Sequence, residues 1–325
     1  MNIFQYEREI AGIILSGRNV AFDPERAHFD DRLLQKHIIN IQSKSCDVAV
    51  IGSSTTMQIR STLFPQQSFF NYSLRRGVLE DYFALFQLLR AQNRLPAYII
   101  LGVDPWLFDP QHWKTYYLPL CNELNILNRE WDLRLPAKIS FRQWMAYQRE
   151  IQFKRICRMM DIAWRRTSFA STDSDIADEY IRRHDGSTGY HAPFRERNSE
   201  EIADIIRQSV HFPHYVCDEL YLRAFQKFLE KAREYKVQIS LYFPPYHPEV
   251  YRLSHGNKKG QRVVNYEAFM ANMAHIENEL TNFAPRLDIS IKGSFDSRKL
   301  EATDSDFLDW MHSKESFVEK CLRFC

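Results

Sequence analysis

No stretch of about 18 consecutive apolar residues occurs in the chain, so the sequence offers no membrane-spanning helix. Its start, MNIFQYEREIAGIILSGRN, carries Glu7 and Glu9 and an apolar patch only from Ile10 to Leu15. That patch is too short for the core of a signal peptide, and the expectation is a chain without an export address, cytoplasmic as written. An excess of one charge is missing too. The 43 lysines and arginines face 41 acids, for a formal charge of +2, which argues against a nucleic acid or an anionic membrane surface held mainly by phosphate attraction. The six cysteines (Cys46, Cys121, Cys157, Cys217, Cys321 and Cys325) include no Cys-x-x-Cys pair and no compact zinc set. They read mostly as buried thiols, in keeping with a reducing compartment. No metal and no cofactor is expected, and no internal repeat or low-complexity tract is evident.

What is present is the makeup of a globular protein with a large core: 325 residues, 45% hydrophobic, 14% aromatic and 26% charged. The length admits two domains or one α/β domain with a long insertion, and the pattern favours the second. Asp47 to Gly52 (DVAVIG) reads as a buried strand running into a turn, Gln67 to Asn71 as a second strand, and Ala97 to Val103 (AYIILGV) as a third. Between the last two, Leu79, Tyr82, Phe83, Phe86 and Leu89 recur at helical spacing up to about Arg90. The alternation resumes with a helix over Cys217 to Tyr235, the strand Gln238 to Phe243, a helix over Val263 to Phe283, a short strand at Leu287 to Ile291 and a closing helix from Lys314 to Arg323. Five or so strands with intervening helices predict a three-layer α/β/α sandwich around a mainly parallel five-stranded sheet. The whole chain, 1–325, is expected to be one such domain. Residues 106–214, rich in tryptophan and arginine, with helix-like stretches such as Phe141 to Trp164 and no convincing apolar strand, read as a helical insertion or cap within it.

In open sheets of this kind ligands sit beyond the carboxyl ends of the strands. Three segments place reactive groups there: Gly52-Ser53-Ser54-Thr55-Thr56, Gly102-Val103-Asp104-Pro105, and Asp309-Trp310-Met311-His312. Taken alone, the first is as well explained as a helix N-cap and the last as a solvated helix start. Together they contain what a serine nucleophile needs. Ser54 on a tight turn exposes its hydroxyl, with a backbone N–H suited to a developing oxyanion. A serine alcohol requires a histidine as general base, and that imidazole requires a carboxylate to fix its tautomer. Asp309 and His312 are candidates for both.

In these motifs the sequence resembles the SGNH or GDSL-type hydrolases, and more narrowly their branch of bacterial cell-surface polysaccharide acyl-modifying proteins. Ile51-Gly52-Ser53-Ser54 is similar to the first block of that family, Phe70-Asn71-Tyr72-Ser73 through Gly77 with Glu80-Asp81-Tyr82 to the second, and Ile100 to Trp106 to the third. Pro244-Pro245-Tyr246-His247-Pro248 resembles a further strand-end signature of the branch, and Asp309-x-x-His312-x-Lys314-Glu315 the closing block. Coverage is about residues 45 to 110 and 215 to 325. The resemblance implies Ser54 as nucleophile, His312 as base, Asp309 as its orienting acid, and the backbone N–H groups of Ser54 and Gly77 as oxyanion donors. Asn71, Asp104, Arg76 and His247 are the further candidates for the oxyanion and substrate site. The implied substrate is an acylated small molecule or polysaccharide, with acetyl the favoured acyl group.

Two departures stand out. The second block reads Arg75-Arg76-Gly77, so Gly77 serves after a one-residue shift or the donor's approach is altered. The third block has Asp104 where the family offers an asparagine amide, and an ionised carboxylate accepts hydrogen bonds rather than donating them. Asp104 thus repels the oxyanion, or is protonated in a desolvated pocket, or turns away to cap backbone amides and to position Arg75 or Arg76. Arg75 and Arg76 either hold an anionic group on a substrate or belong to a solvated face or a structural ion pair, and Trp106, Trp113, Tyr116 and Tyr117 form either a sugar-stacking platform or, the favoured reading, helix packing in the insertion. His247 either lines the site or packs against its proline turn. Two other functions remain open: an inactive module binding a glycan or partner protein, and a lipid esterase should the insertion present an apolar lid.

Overall fold

The computed structural model describes residues 6–23, 29–112, 116–135, 169–176, 178–209, 211–253 and 263–323, with scattered residues between 142 and 156. Trp113, Cys157, Cys325 and most of the helix expected over Phe141 to Trp164 lie outside the described residues. In chain order the strands are β1 (Asn19–Phe22), β2 (Val48–Ile51), β3 (Phe69–Asn71), β4 (Tyr98–Gly102), β5 (Phe169–Thr172), β6 (Tyr180–Arg182), β7 (Thr188–Gly189), β8 (Gln238–Phe243) and β9 (Ser290–Gly293).

Five of them make the expected parallel sheet, in the order β3-β2-β4-β8-β9. Along β2 successive side chains part to opposite faces. Ala49 and Ile51 join the apolar residues of helices Leu79–Ala91, Glu219–Glu234 and Tyr266–Phe283. Val48 and Val50 pack instead with Ile100, Tyr242, Phe317, Val318 and Cys321 under helix Glu315–Arg323. Both faces are covered, which is why these strands read as unbroken apolar runs, and the result is a three-layer α/β/α arrangement. The chain steps from β2 outward to β3 and then back across to β4, so the order reverses at β2 and β4, the point at whose carboxyl ends open sheets of this kind hold their ligands.

Three expectations are corrected. The last strand begins at Ser290 rather than Leu287, because Ala284–Leu287 tightens into a 3₁₀ turn closed by Asp288 in the left-handed region (φ 55°). The inserted region is not purely helical: β5, β6 and β7 pair with β1 in a second, antiparallel sheet of order β5-β1-β6-β7. Its strands are short, and β6 buries Arg182 against Asp31, so no apolar alternation marks it. Of the cysteines, Cys321 is buried, but Cys46, Cys121 and Cys217 are half-buried free thiols. No helix among the described residues is long and apolar enough to cross a membrane.

Candidate active site

β2 ends at Ile51, and the chain turns through Gly52 and Ser53 into a 3₁₀ turn, Ser54–Thr56, at the sheet's carboxyl edge. Thr56 locks this turn: its hydroxyl donates to Ser53 O (2.9 Å) and shares a hydrogen bond with Ser73 Oγ (2.7 Å). Gly52 is needed there, since a Cβ would come within 2.0 Å of Thr56 Oγ1. Ser53 caps the turn, its Oγ accepting from Thr55 N at 3.3 Å. Ser54 is left presenting its hydroxyl, and its N–H meets no acceptor among the described residues.

The Asp309-x-x-His312 spacing builds the facing group. Asp309 Oδ1 accepts from the N–H groups of Met311 (2.8 Å) and His312 (2.7 Å), a local turn that leaves Oδ2 to meet His312 Nδ1 at 2.7 Å. His312 Nε2 then lies 2.9 Å from Ser54 Oγ. The turn is anchored from both flanks: His247 N–H donates to Trp310 O (3.0 Å), Leu308 N–H to His312 O (2.8 Å), and the Gln58 side-chain amide to Ser313 O. Burial on its own would lower the His312 pKa, but the Asp309 carboxylate, hydrogen-bonded to the ring, and more weakly Asp104 outweigh it and raise the imidazole. Burial would likewise raise Asp309. The imidazole and the two backbone N–H groups prevail and hold it below the ordinary carboxylate value. Nδ1 thus carries its proton toward Asp309, and Nε2 is placed to take one from Ser54.

The remaining sequence candidates are distributed differently from expectation. Asp104, fully buried after β4, accepts from Thr55 Oγ1 at 3.0 Å through Oδ1, while Oδ2 is buried with no hydrogen-bond partner among the described residues. Burial pushes its pKa up to about 6 against the pull of the Ser53 and Thr55 hydroxyls and of His312. It does not position either arginine. Arg75 pairs with Asp31 (2.5 Å) and lies over the Phe29 ring, and Arg76 donates to Tyr116 Oη (2.5 Å), so neither is directed at Ser54. Gly77 packs against the Ser54 turn, where a Cβ would lie 2.9 Å from Gly52 O and 3.2 Å from Ser53 Cα. Its N–H, expected as an oxyanion donor, closes a turn on Leu74 O at 3.1 Å.

Asn71 is not a substrate group either. Fully buried, it donates to Thr56 O (2.9 Å) and Ile59 O (3.0 Å) and accepts from Ser73 N (2.9 Å), stapling the segment that follows Ser54. His247, also fully buried, caps helix Pro248–Arg252 by accepting from Glu249 N at 3.1 Å and packs on Phe307. It supports the Asp309 turn without facing Ser54. Among the described residues no stacking platform forms: Trp106 and Tyr117 are buried, Trp106 donating to Gly77 O (3.0 Å), and Tyr116 lies under the guanidinium groups of Arg32 and Arg76.

Sequence reading passed over the groups that the insertion adds. Tyr190 and Phe194 set their rings 6.1 Å and 6.3 Å from the His312 ring, and Tyr190 Oη donates to Ser54 O at 3.4 Å. Their only signal was aromatic content in a polar stretch. Also missed was buried Arg32, on helix Asp31–Ile41. It grips Asp81 with two nitrogens (3.1 and 2.6 Å) and donates to the carbonyls of Arg75 and Arg76 (2.9 Å each), fixing the turn that precedes Gly77. Among the described residues no three His, Cys, Asp or Glu side chains converge as a metal site would. No protein-family model, no curated protein and no solved structure matches this chain.

Proposed function

We propose that this chain is a serine-dependent esterase or acyl transferase of the SGNH type, acting on an acyl ester of a carbohydrate-like alcohol, with acetyl the simplest acyl group it would take. The observation that carries the reading is the continuous relay Asp309 Oδ2, His312, Ser54 Oγ, with contacts of 2.7 and 2.9 Å. Ser54 Oγ attacks the ester carbonyl as His312 Nε2 takes its proton. Collapse of the tetrahedral species expels the alcohol, which receives that proton and leaves an acyl-serine. Water or an acceptor hydroxyl, deprotonated by His312 in turn, then releases the acyl group and restores Ser54. Asp309 stabilises the imidazolium in both halves. The Ser54 N–H is the open donor for the oxyanion. With Gly77 N–H engaged and no amide at position 104, stabilisation there is weaker than with a full set of donors, each worth roughly 3 to 4 kcal/mol.

That weakness favours a second reading, a slow or inactive module that binds a glycan or partner through the same crevice. The two separate experimentally. Hydrolysis of an activated acetyl ester is compared for wild type, Ser54→Ala and His312→Ala, alongside labelling by a serine-reactive phosphonate. The enzymatic reading expects turnover and labelling that vanish with Ser54. Equal rates in all three proteins and no label would leave only the binding module.

A further inference from the structure

Beside the relay lies a cavity of about 570 Å³ whose wall includes Asp309 itself. Its floor is aliphatic and aromatic. Ile202 and Ile206, on helix Ser199–Gln208, and Phe212 are buried, Trp310 follows the triad acid in sequence, and Ile205 on the same helix is 65% exposed. Polar groups stand among its lining at Arg197, Ser209 and His211. The cavity joins the relay a second way: the Arg197 guanidinium lies over the Phe194 ring at 4.7 Å, and that ring meets His312.

We infer that this cavity receives the acyl chain of the ester, so that the site takes chains longer than acetyl. The inference rests on the esterase reading above and supplies its substrate class. A volume of this size is that of a small-molecule site. A sugar ring laid on isoleucines would lose hydrogen bonds from its hydroxyls, whereas an alkyl chain asks for none and gains about fourfold in binding for each methylene buried. The insertion supplies the apolar wall that a lipid-like ester requires, and Asp309, which lines the cavity, is hydrogen-bonded to His312, the group that meets Ser54.

The test uses the full chain with 4-nitrophenyl acetate and 4-nitrophenyl octanoate, and octanoate as a non-reacting probe in calorimetry. The variant is Ile205→Asp, which sets a charge in the cavity at an exposed position that folding does not need. Wild type is expected to favour the octanoyl ester at least tenfold in kcat/KM and to bind octanoate saturably. Ile205→Asp should reduce the octanoyl-to-acetyl ratio at least tenfold and weaken octanoate binding by a similar factor. An active wild type whose ratio does not change in the variant overturns the inference and leaves the esterase reading intact. No hydrolysis of either ester, with octanoate binding that the variant abolishes, overturns the esterase reading and keeps the cavity as an apolar-chain site. Absence of both activities overturns both.

Discussion

His312 Nε2 stands 2.9 Å from Ser54 Oγ although 258 positions separate the two residues in the chain. One sits on the turn after β2 and the other on a turn held by its own aspartate, so the contact depends on the sheet bringing a first and a last segment to one edge. Ser54→Ala and His312→Ala are each expected to lower kcat for an activated ester by about 10³-fold or more. Because the groups act as a unit, the double variant should lose little beyond the single ones. Asp309→Asn frees the imidazole from its carboxylate and permits the wrong tautomer, with a comparable loss. Multiplicative losses in the double variant would contradict a shared relay.

The state of His312 sets the pH profile. Its pKa is raised, chiefly through Asp309 acting against burial, and the base must be neutral to work, so kcat/KM should fall as pH drops, with a midpoint above the ordinary histidine value of about 6.5. Asp104→Asn removes a second carboxylate that raises the imidazole and should move that midpoint to lower pH.

The same substitution tests the buried carboxyl itself. Burial pushes the Asp104 carboxyl up to about 6 in the fold, against an ordinary value of 3.8. The folded state therefore prefers the protonated form, and stability is lost as pH rises between those values. At pH 8 the two-unit gap is of order 3 kcal/mol. Denaturant unfolding should show Asp104→Asn more stable than wild type at pH 8, with the difference gone below pH 4. A difference that is constant with pH would mean that the carboxyl keeps an ordinary pKa in the fold.

Much of this was legible in the sequence, for physical reasons that can be named. β2, β4 and β8 are covered on both faces and read as apolar runs, and Ser54, Asp309 and His312 belong to turns whose local chemistry is written in adjacent residues. The antiparallel sheet was not legible: β1 finds its partners at Phe169–Thr172 and Tyr180–Arg182, and the inward Arg182 breaks the apolar pattern. Asn71 was misjudged, and the choice for His247 between lining the site and packing on its proline turn stayed open, because a motif gives a residue's place on the edge but not the direction of its side chain. Both point into the protein and hold the loops that carry Ser54 and His312. The Arg32 grip joins segments far apart in sequence through side-chain nitrogens and backbone carbonyls, and such a contact leaves no periodic trace.

Gly77 offers a steric probe of the crevice. A Cβ at this position would press on Gly52 O and Ser53 Cα, backbone atoms that cannot rotate away, directly before Ser54. Gly77→Ala is therefore expected to cost about 1 to 3 kcal/mol of stability and to reduce esterase kcat by roughly tenfold or more, because displacement of the turn disturbs an aligned relay. Wild-type kcat in this variant would place the Gly77 loop outside the reacting geometry.

Arg32 supplies the strongest stability prediction. Its guanidinium neutralises buried Asp81 and satisfies the carbonyls of Arg75 and Arg76, and Arg76 is held in the left-handed region (φ 53°), a conformation that costs a non-glycine residue roughly 1 to 2 kcal/mol. Asp81 also accepts from Val78 N at 3.0 Å at the start of helix Leu79–Ala91, so one ion pair ties that helix start to the turn beside Ser54. Arg32→Gln leaves the carboxylate buried without its cation and should destabilise the fold by about 3 to 5 kcal/mol. Arg32→Lys keeps the charge but cannot reach the carboxylate and both carbonyls at once, since an ammonium lacks the planar fork. It should recover part of the stability and little of the activity. Adding Asp81→Asn to Arg32→Gln removes the stranded charge and should restore some stability. Denaturant unfolding of the four proteins, read beside kcat for the acetyl ester, separates the two roles: a lysine variant with full activity would show that the charge alone, not the grip on the Arg75 and Arg76 carbonyls, keeps the turn in place.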